Sequence, residues 1–227
     1  MAHGHGEQFR GFRDHVDSPF FRAPGRRPEE TWELSVDRLA ELLVKLEPLA
    51  ASGPIEMSAE LLCSWHRDIF GLLFPAHAGR LRGHHEGEWE HVRFGGHVGT
   101  RRSFRVRQYR GTHPRKLRGR LEETCAEFNA AAAAIRETPG ADTFSAVYAA
   151  TRLYAKLLRA HPWIDGNLRT AFVALNASLL TLDLPPVEFK DMELHDDLLG
   201  IAFVGKHEPY RALAEHIREI IDNAESA

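Results

Sequence analysis

The chain has 227 residues, 43% of them hydrophobic, enough for one domain with a substantial core. Its formal charge of −3 gives no global push toward nucleic acid or an anionic membrane. Two cysteines exclude a disulfide framework or a zinc ribbon and make the reducing cytosol the default compartment. No stretch reaches the about 18 apolar residues that a membrane helix needs, and the polar N-terminus is not a secretory signal.

Residues 1–28 are rich in His, Gly, Arg and Pro and read as a flexible extension ahead of the domain at 29–225. His3 and His5 lack partners for a metal site. The first helix is expected from Pro28 to Ala50, with Pro28 at its first turn and Glu29 and Glu30 favourable beside the N-terminal dipole. Trp32, Val36, Leu39, Leu42, Leu43 and Leu46 form its apolar stripe. Ser52-Gly53-Pro54 breaks the chain. Ser58 then caps a second helix whose buried side is Leu61, Leu62, Trp65, Ile69, Phe70 and Leu73.

Residues 83–114 are the least regular. Val92–Phe94 and Ser103–Tyr109 read as two short strands around a Gly-rich turn at Gly95–Gly99, the second alternating apolar and basic residues. Arg101, Arg102, Arg105, Arg107, Arg110, Arg115, Lys116, Arg118 and Arg120 form a local basic cluster suited to an acidic target or to phosphates. Nucleic acid is set aside as a partner, because the cluster has one aromatic at its centre, Tyr109, and no recognised binding motif.

Helical periodicity returns over Lys116–Glu137, with Leu117, Leu121, Cys125, Phe128 and Ala132 on one face, and again over Asp142–Ala160. A second core helix is expected over Thr170–Leu182. Two further helices, from Asp191 to Val204 and from Glu208 to Ala224, close the domain. His195, His207 and His216 read as surface or capping residues. About seven or eight helices and one small hairpin make an all-α fold.

Between the two core helices runs His161-Pro-Trp-Ile-Asp-Gly-Asn-Leu-Arg169. A loop that opens a helix presents unpaired amides at the positive end of the dipole, a ready site for an anion. Gly166 and Asn167 both tolerate positive φ, so consecutive amides can converge. Arg169 adds a guanidinium fork matching phosphate. His161 and Asp165 supply a base and a hard metal ligand.

The stretch resembles the signature loop of the Fic/Doc (Fido) family, His-x-Phe-x-(Asp/Glu)-Gly-Asn-Gly-Arg-x-x-Arg. His161, Asp165, Gly166, Asn167 and Arg169 match, and Trp163 stands at the aromatic position. Leu168 replaces the second Gly, and Phe172 replaces the second Arg. Phe74-Pro-Ala-His-Ala-Gly-Arg-Leu-Arg82 resembles a second family segment that precedes the active-site flap.

The resemblance implies a Fic fold, a helical bundle with a β-hairpin flap, and transfer of AMP from ATP to a protein hydroxyl. His161 would be the general base, Asp165 would hold Mg²⁺, and Gly166, Asn167, Leu168 and Arg169 would bind the phosphates. It further implies a target-protein segment paired with the flap at 92–109, and an antitoxin or inhibitor protein as a possible regulator. Because Phe172 removes the second Arg, the donor could be another nucleotide or CDP-choline. Alternatives are a Doc-like phosphotransferase, a catalytically weak peptide-binding module, and a small-molecule tailoring enzyme. The inhibitory (Ser/Thr)-x-x-x-Glu-(Gly/Asn) helix motif of the family has no match in the chain.

Overall fold

The computed structural model describes residues 28–82, 95–98, 107–190, 192–204 and 208–225. The described elements run α1 (Pro28–Ala51), α2 (Ala59–Phe70), β1 (Gly95–Val98), β2 (Arg107–Arg110), a 3-10 turn (Pro114–Lys116), α3 (Leu117–Glu137), α4 (Thr143–Ala160), α5 (Asn167–Thr181), α6 (Met192–Val204) and α7 (Arg211–Glu225). The described residues hold seven α-helices, within the seven or eight that the periodicity led one to expect. The expected extension at 1–28 lies outside the described residues apart from Pro28, which opens α1.

Two of the helix starts are fixed by side-chain caps. Ser58 Oγ accepts from the Leu61 amide at 3.1 Å, and Asp142 Oδ1 accepts from the Ser145 amide at 2.7 Å. The chain before α2 is tied to α3 by Asn129, which donates to the Met57 carbonyl and accepts from the Met57 amide.

The core forms around α5, which packs against α1, α2 and α4. Its residues Asn167 to Leu179 are buried except Leu168. A helix apolar on every side has no solvent face and must be enclosed. α3 and α7 pack against α4 from outside, with Leu121, Phe128, Val147, Leu213 and Ile217 at 3% exposure or less. Cys63 and Cys125 are free, buried thiols, and burial pushes both up, Cys125 to about 12. Neither is an activated nucleophile.

β1 and β2 pair antiparallel, with Gly95 opposite Arg110 and Val98 opposite Arg107, and the pair lies against α6. This shifts the expected hairpin. The glycine-rich segment read as a turn supplies β1, because two adjacent glycines do not prevent extended backbone when a partner strand completes the ladder. The expected strand at Val92–Phe94, residues 99–106 and, with them, Arg101, Arg102 and Arg105 of the basic cluster lie outside the described residues.

Candidate functional site

α4 ends and α5 begins within a few residues, and two left-handed residues make the turn. His161 is the C-cap of α4 at φ 50, ψ 62, and its amide donates to the Leu157 and Leu158 carbonyls. Gly166 is the N-cap of α5 at φ 74. A left-handed C-cap is normally glycine; a histidine there carries about 1–2 kcal/mol of backbone strain, the kind of strain that collects at functional positions.

Gly166 has no side chain to cap α5, so no N-cap side chain closes the first turn of the helix at Asn167, Leu168 and Arg169. The helix therefore begins three residues earlier than the sequence pattern suggested. Of the Gly166–Asn167 pair, Gly166 alone has positive φ; Asn167 is already helical. The Asn167 side chain is occupied with the loop itself. Its Oδ1 accepts from the Trp163 amide at 3.0 Å, and its Nδ2 donates to the Trp163 carbonyl at 2.9 Å. Trp163 is 1% exposed and pins the loop to the core.

Asp165 is half-buried, and one of its carboxylate oxygens accepts from the Gly166 amide at 2.6 Å. Arg169 is buried, with its guanidinium over the Phe70 ring at 5.7 Å from the centroid. Burial lowers Arg169 to about 10, while Asp165 pulls the other way, so the guanidinium is charged at neutral pH. The expected site residues His161, Asp165, Gly166, Asn167, Leu168 and Arg169 thus lie on one turn. The guanidinium packs on the floor beneath the loop rather than projecting from it.

Two residues that sequence reasoning left unassigned hold this turn from α2 and the segment after it. His66 Nδ1 accepts from the Gly79 amide and Nε2 donates to the Asp165 carbonyl, both at 2.9 Å. Burial lowers His66 to about 4, so it is neutral with a fixed tautomer. Arg82 is fully buried at the C-terminus of α4. Its Nε donates to the His161 carbonyl at 2.5 Å, and Nη2 donates to the Thr112 and Ala160 carbonyls at 3.0 and 3.2 Å. Its amide donates to the Pro162 carbonyl at 2.9 Å. The signal was in the 74–82 segment, whose Gly79 and Arg82 are both used here.

Phe172 faces away from the turn. It is 3% exposed, with its ring 5.6 Å from Phe189, and it lines a cavity of about 660 Å³ between α1, α5 and α7. A cavity of about 20 Å³ beside the turn is lined by His66, Phe70, Phe74, His77, Ile164 and Asp165. His195, read from sequence as surface or capping, is fully buried. Its Nε2 bonds the Tyr154 hydroxyl at 2.8 Å and the ring stacks on Phe189 at 3.8 Å, while its Nδ1 is buried with no hydrogen-bond partner among the described residues.

The Fic/DOC family model matches residues 56–179, which span α2 to most of α5 and so include the whole turn. Among solved structures, a Fic domain-containing signaling protein from Bacteroides thetaiotaomicron is 15% identical with a TM-score of 0.61, over 100% of this chain and 76% of that one. Fic-1 from C. elegans is 22% identical with a TM-score of 0.59, over 95% of this chain and 58% of that one. BepC from Bartonella tribocorum, solved with AMPPNP bound, is 16% identical with a TM-score of 0.59, over 84% and 87%. These likenesses give the fold, and the family match covers more than half of the sequence. The chain belongs to the Fic/DOC family.

Proposed function

We propose that this chain is a Fic-type transferase that moves AMP, or another nucleotide- or phosphate-containing group, from a nucleotide to a hydroxyl side chain of a target protein. The observation that carries this reading is the strained turn itself. It ends one helix on a left-handed histidine and opens the next at Gly166 with no side-chain cap. BepC, which shares the fold, was solved with a nucleotide analogue bound.

In the proposed step the target hydroxyl oxygen attacks the α-phosphorus of ATP, and His161 takes the hydroxyl proton. The new O–P bond forms as the bond to the leaving pyrophosphate breaks. A positioned base contributes about 10²–10⁴-fold. The amides of Asn167, Leu168 and Arg169, with the α5 dipole and the Arg169 charge beneath, oppose the growing negative charge on the phosphoryl oxygens. Leu168 costs this site little, because it stands inside the first turn of α5, where helical φ suits leucine and a backbone N–H is retained.

Among the described residues no group of three His, Cys, Asp or Glu could hold a metal alone. A lone carboxylate at Asp165 nonetheless fits Mg²⁺, which takes one or two carboxylates and completes its shell with phosphate oxygens and water. When bound, it would neutralise phosphate charge. The target segment would add to the β1–β2 pair by strand pairing, the mode a hairpin edge supports.

The core position of Phe172 favours a second reading of the donor, since α5 carries no arginine beyond Arg169 to hold a γ-phosphate. ATP labelled at the α- or the γ-phosphate separates the two. Label from the α position marks nucleotidyl transfer, and label from the γ position marks Doc-like phosphotransfer. His161→Ala should lower either at least 100-fold. A wild-type chain that transfers nothing from ATP, UTP, GTP or CDP-choline to itself or to lysate proteins overturns the reading.

A further inference from the structure

His66 sits on α2, about 100 residues before the turn, and is buried. Its two ring nitrogens are used in opposite senses, accepting from the Gly79 amide and donating to the Asp165 carbonyl. The ring stacks on Trp163 at 4.7 Å between centroids and lies 4.9 Å from Phe70. Phe70, one helical turn on, fills the space where a Gly166 side chain would be and lies under Arg169. His66 and Phe70 are i and i+4 on one face of α2. That face is a mould against which Trp163, Asp165, Gly166 and Arg169 are set.

The peptide unit between Asp165 and Gly166 is held at both ends. Its carbonyl receives the His66 Nε2–H, and its N–H is bonded to the Asp165 carboxylate. Rotation of this peptide would lose both bonds together. It would turn the carboxylate away and change the left-handed φ of Gly166, from which the α5 amides follow.

We infer that His66 is a positioning residue for the candidate site, fixing the Asp165–Gly166 peptide through its Nε2–H so that the Asp165 carboxylate and the α5 amides face one phosphoryl group. This rests on the transferase reading for its consequence, though not for the clamp itself. Only the Nε2 bond sets the peptide; the Nδ1 bond to Gly79 anchors the ring.

The test uses His66→Gln, which retains an amide N–H near the Nε2 position, His66→Asn, which offers a polar group near Nδ1 only, and His66→Phe, which keeps the ring stack alone. The first readout is hydrogen exchange of the Gly166 amide in the full chain, resolved by NMR. Protection should persist within a factor of three in Gln and fall at least tenfold in Asn and Phe. The second is label transfer: kcat should follow the same order, with at least a tenfold loss in Asn and Phe, while KM for the nucleotide changes less than threefold. Unaltered Gly166 protection in Phe overturns the clamp. Equal kcat in Gln and Phe, despite lost protection in Phe, overturns the positioning role. If the wild type is inert toward every donor, the transferase reading and the catalytic consequence fall together, and amide exchange still decides the clamp.

Discussion

Gly166 shows how much a single residue constrains the turn. Its φ of 74 belongs to the left-handed region, and a Cβ there would stand 2.3–2.9 Å from three carbons of the Phe70 ring. Backbone strain of about 1–2 kcal/mol and overpacking of about 1–3 kcal/mol are separate costs. Gly166→Ala should therefore lose about 2–5 kcal/mol in urea unfolding. Adding Phe70→Leu should recover the overpacking part and leave the backbone part, so the double variant lies between Gly166→Ala and Phe70→Leu-corrected wild type. A Gly166→Ala variant within 0.5 kcal/mol of wild type, on the order of an ordinary surface change, would contradict this packing. His161 is the converse case, a side chain kept where glycine would be easier.

At the scale of elements, the end of α4 is completed by Arg82 rather than by its own sequence. A helix C-terminus leaves carbonyls that need donors, and a buried cation meets both that need and the dipole. Arg82→Met removes the donors to the Ala160, His161 and Thr112 carbonyls together. At about 1–3 kcal/mol for each buried group left unpaired, the loss should be at least 3 kcal/mol in denaturant unfolding. Arg82→Lys should recover part of it, since an ammonium reaches fewer of the three. Equal stability of Met and wild type would show that water replaces the guanidinium.

α5 gives the companion case. Phe172→Arg restores the family's residue by sequence, but the position is packed against Phe189. It should destabilise by about 2 kcal/mol or more through an unpaired buried charge and bring no gain in transfer from ATP. A gain of tenfold would mean that the side chain can reach the nucleotide.

These elements also show what was legible in the residues. The helices were readable because each carries its apolar stripe at helical spacing, and the motif because its residues are contiguous from His161 to Arg169. The start of α5 was not. Gly-Asn looks like two loop residues until the Asn167 side chain is seen to bond Trp163 and leave its backbone helical. The roles of His66 and Arg82 were hidden because their partners are backbone groups, those on the turn about 80 to 100 residues away, and backbone groups have no sequence signature. β1 was missed because glycines suggest turns, and strand pairing depends on the partner.

For the molecule as a whole, two enclosed histidines set the response to acid. Burial lowers His66 to about 4, and burial, with a smaller contribution from nearby His216, lowers His195 to about 3, both from 6.5. The unfolded chain therefore binds protons that the folded chain refuses. The stability tied to this difference is fully present above about pH 6.5 and is lost as pH falls toward the folded values. Each histidine contributes a slope of about 1.4 kcal/mol per pH unit, so together they remove about 3 kcal/mol per unit. Glu60, Glu127 and Asp142 are also held low, by Arg118, Lys156 and the Ser145 amide respectively, but their ordinary values of 3.8–4.5 put their loss at lower pH. Between pH 6.5 and 5 the two histidines dominate among these groups. Urea unfolding at pH 7, 6 and 5 should show this slope in the wild type. His195→Gln, which keeps a partner for the Tyr154 hydroxyl, should roughly halve it whatever it does to stability at pH 7. Parallel slopes in the two proteins would mean that His195 is hydrated in the folded chain, against its burial among the rings of Tyr154 and Phe189.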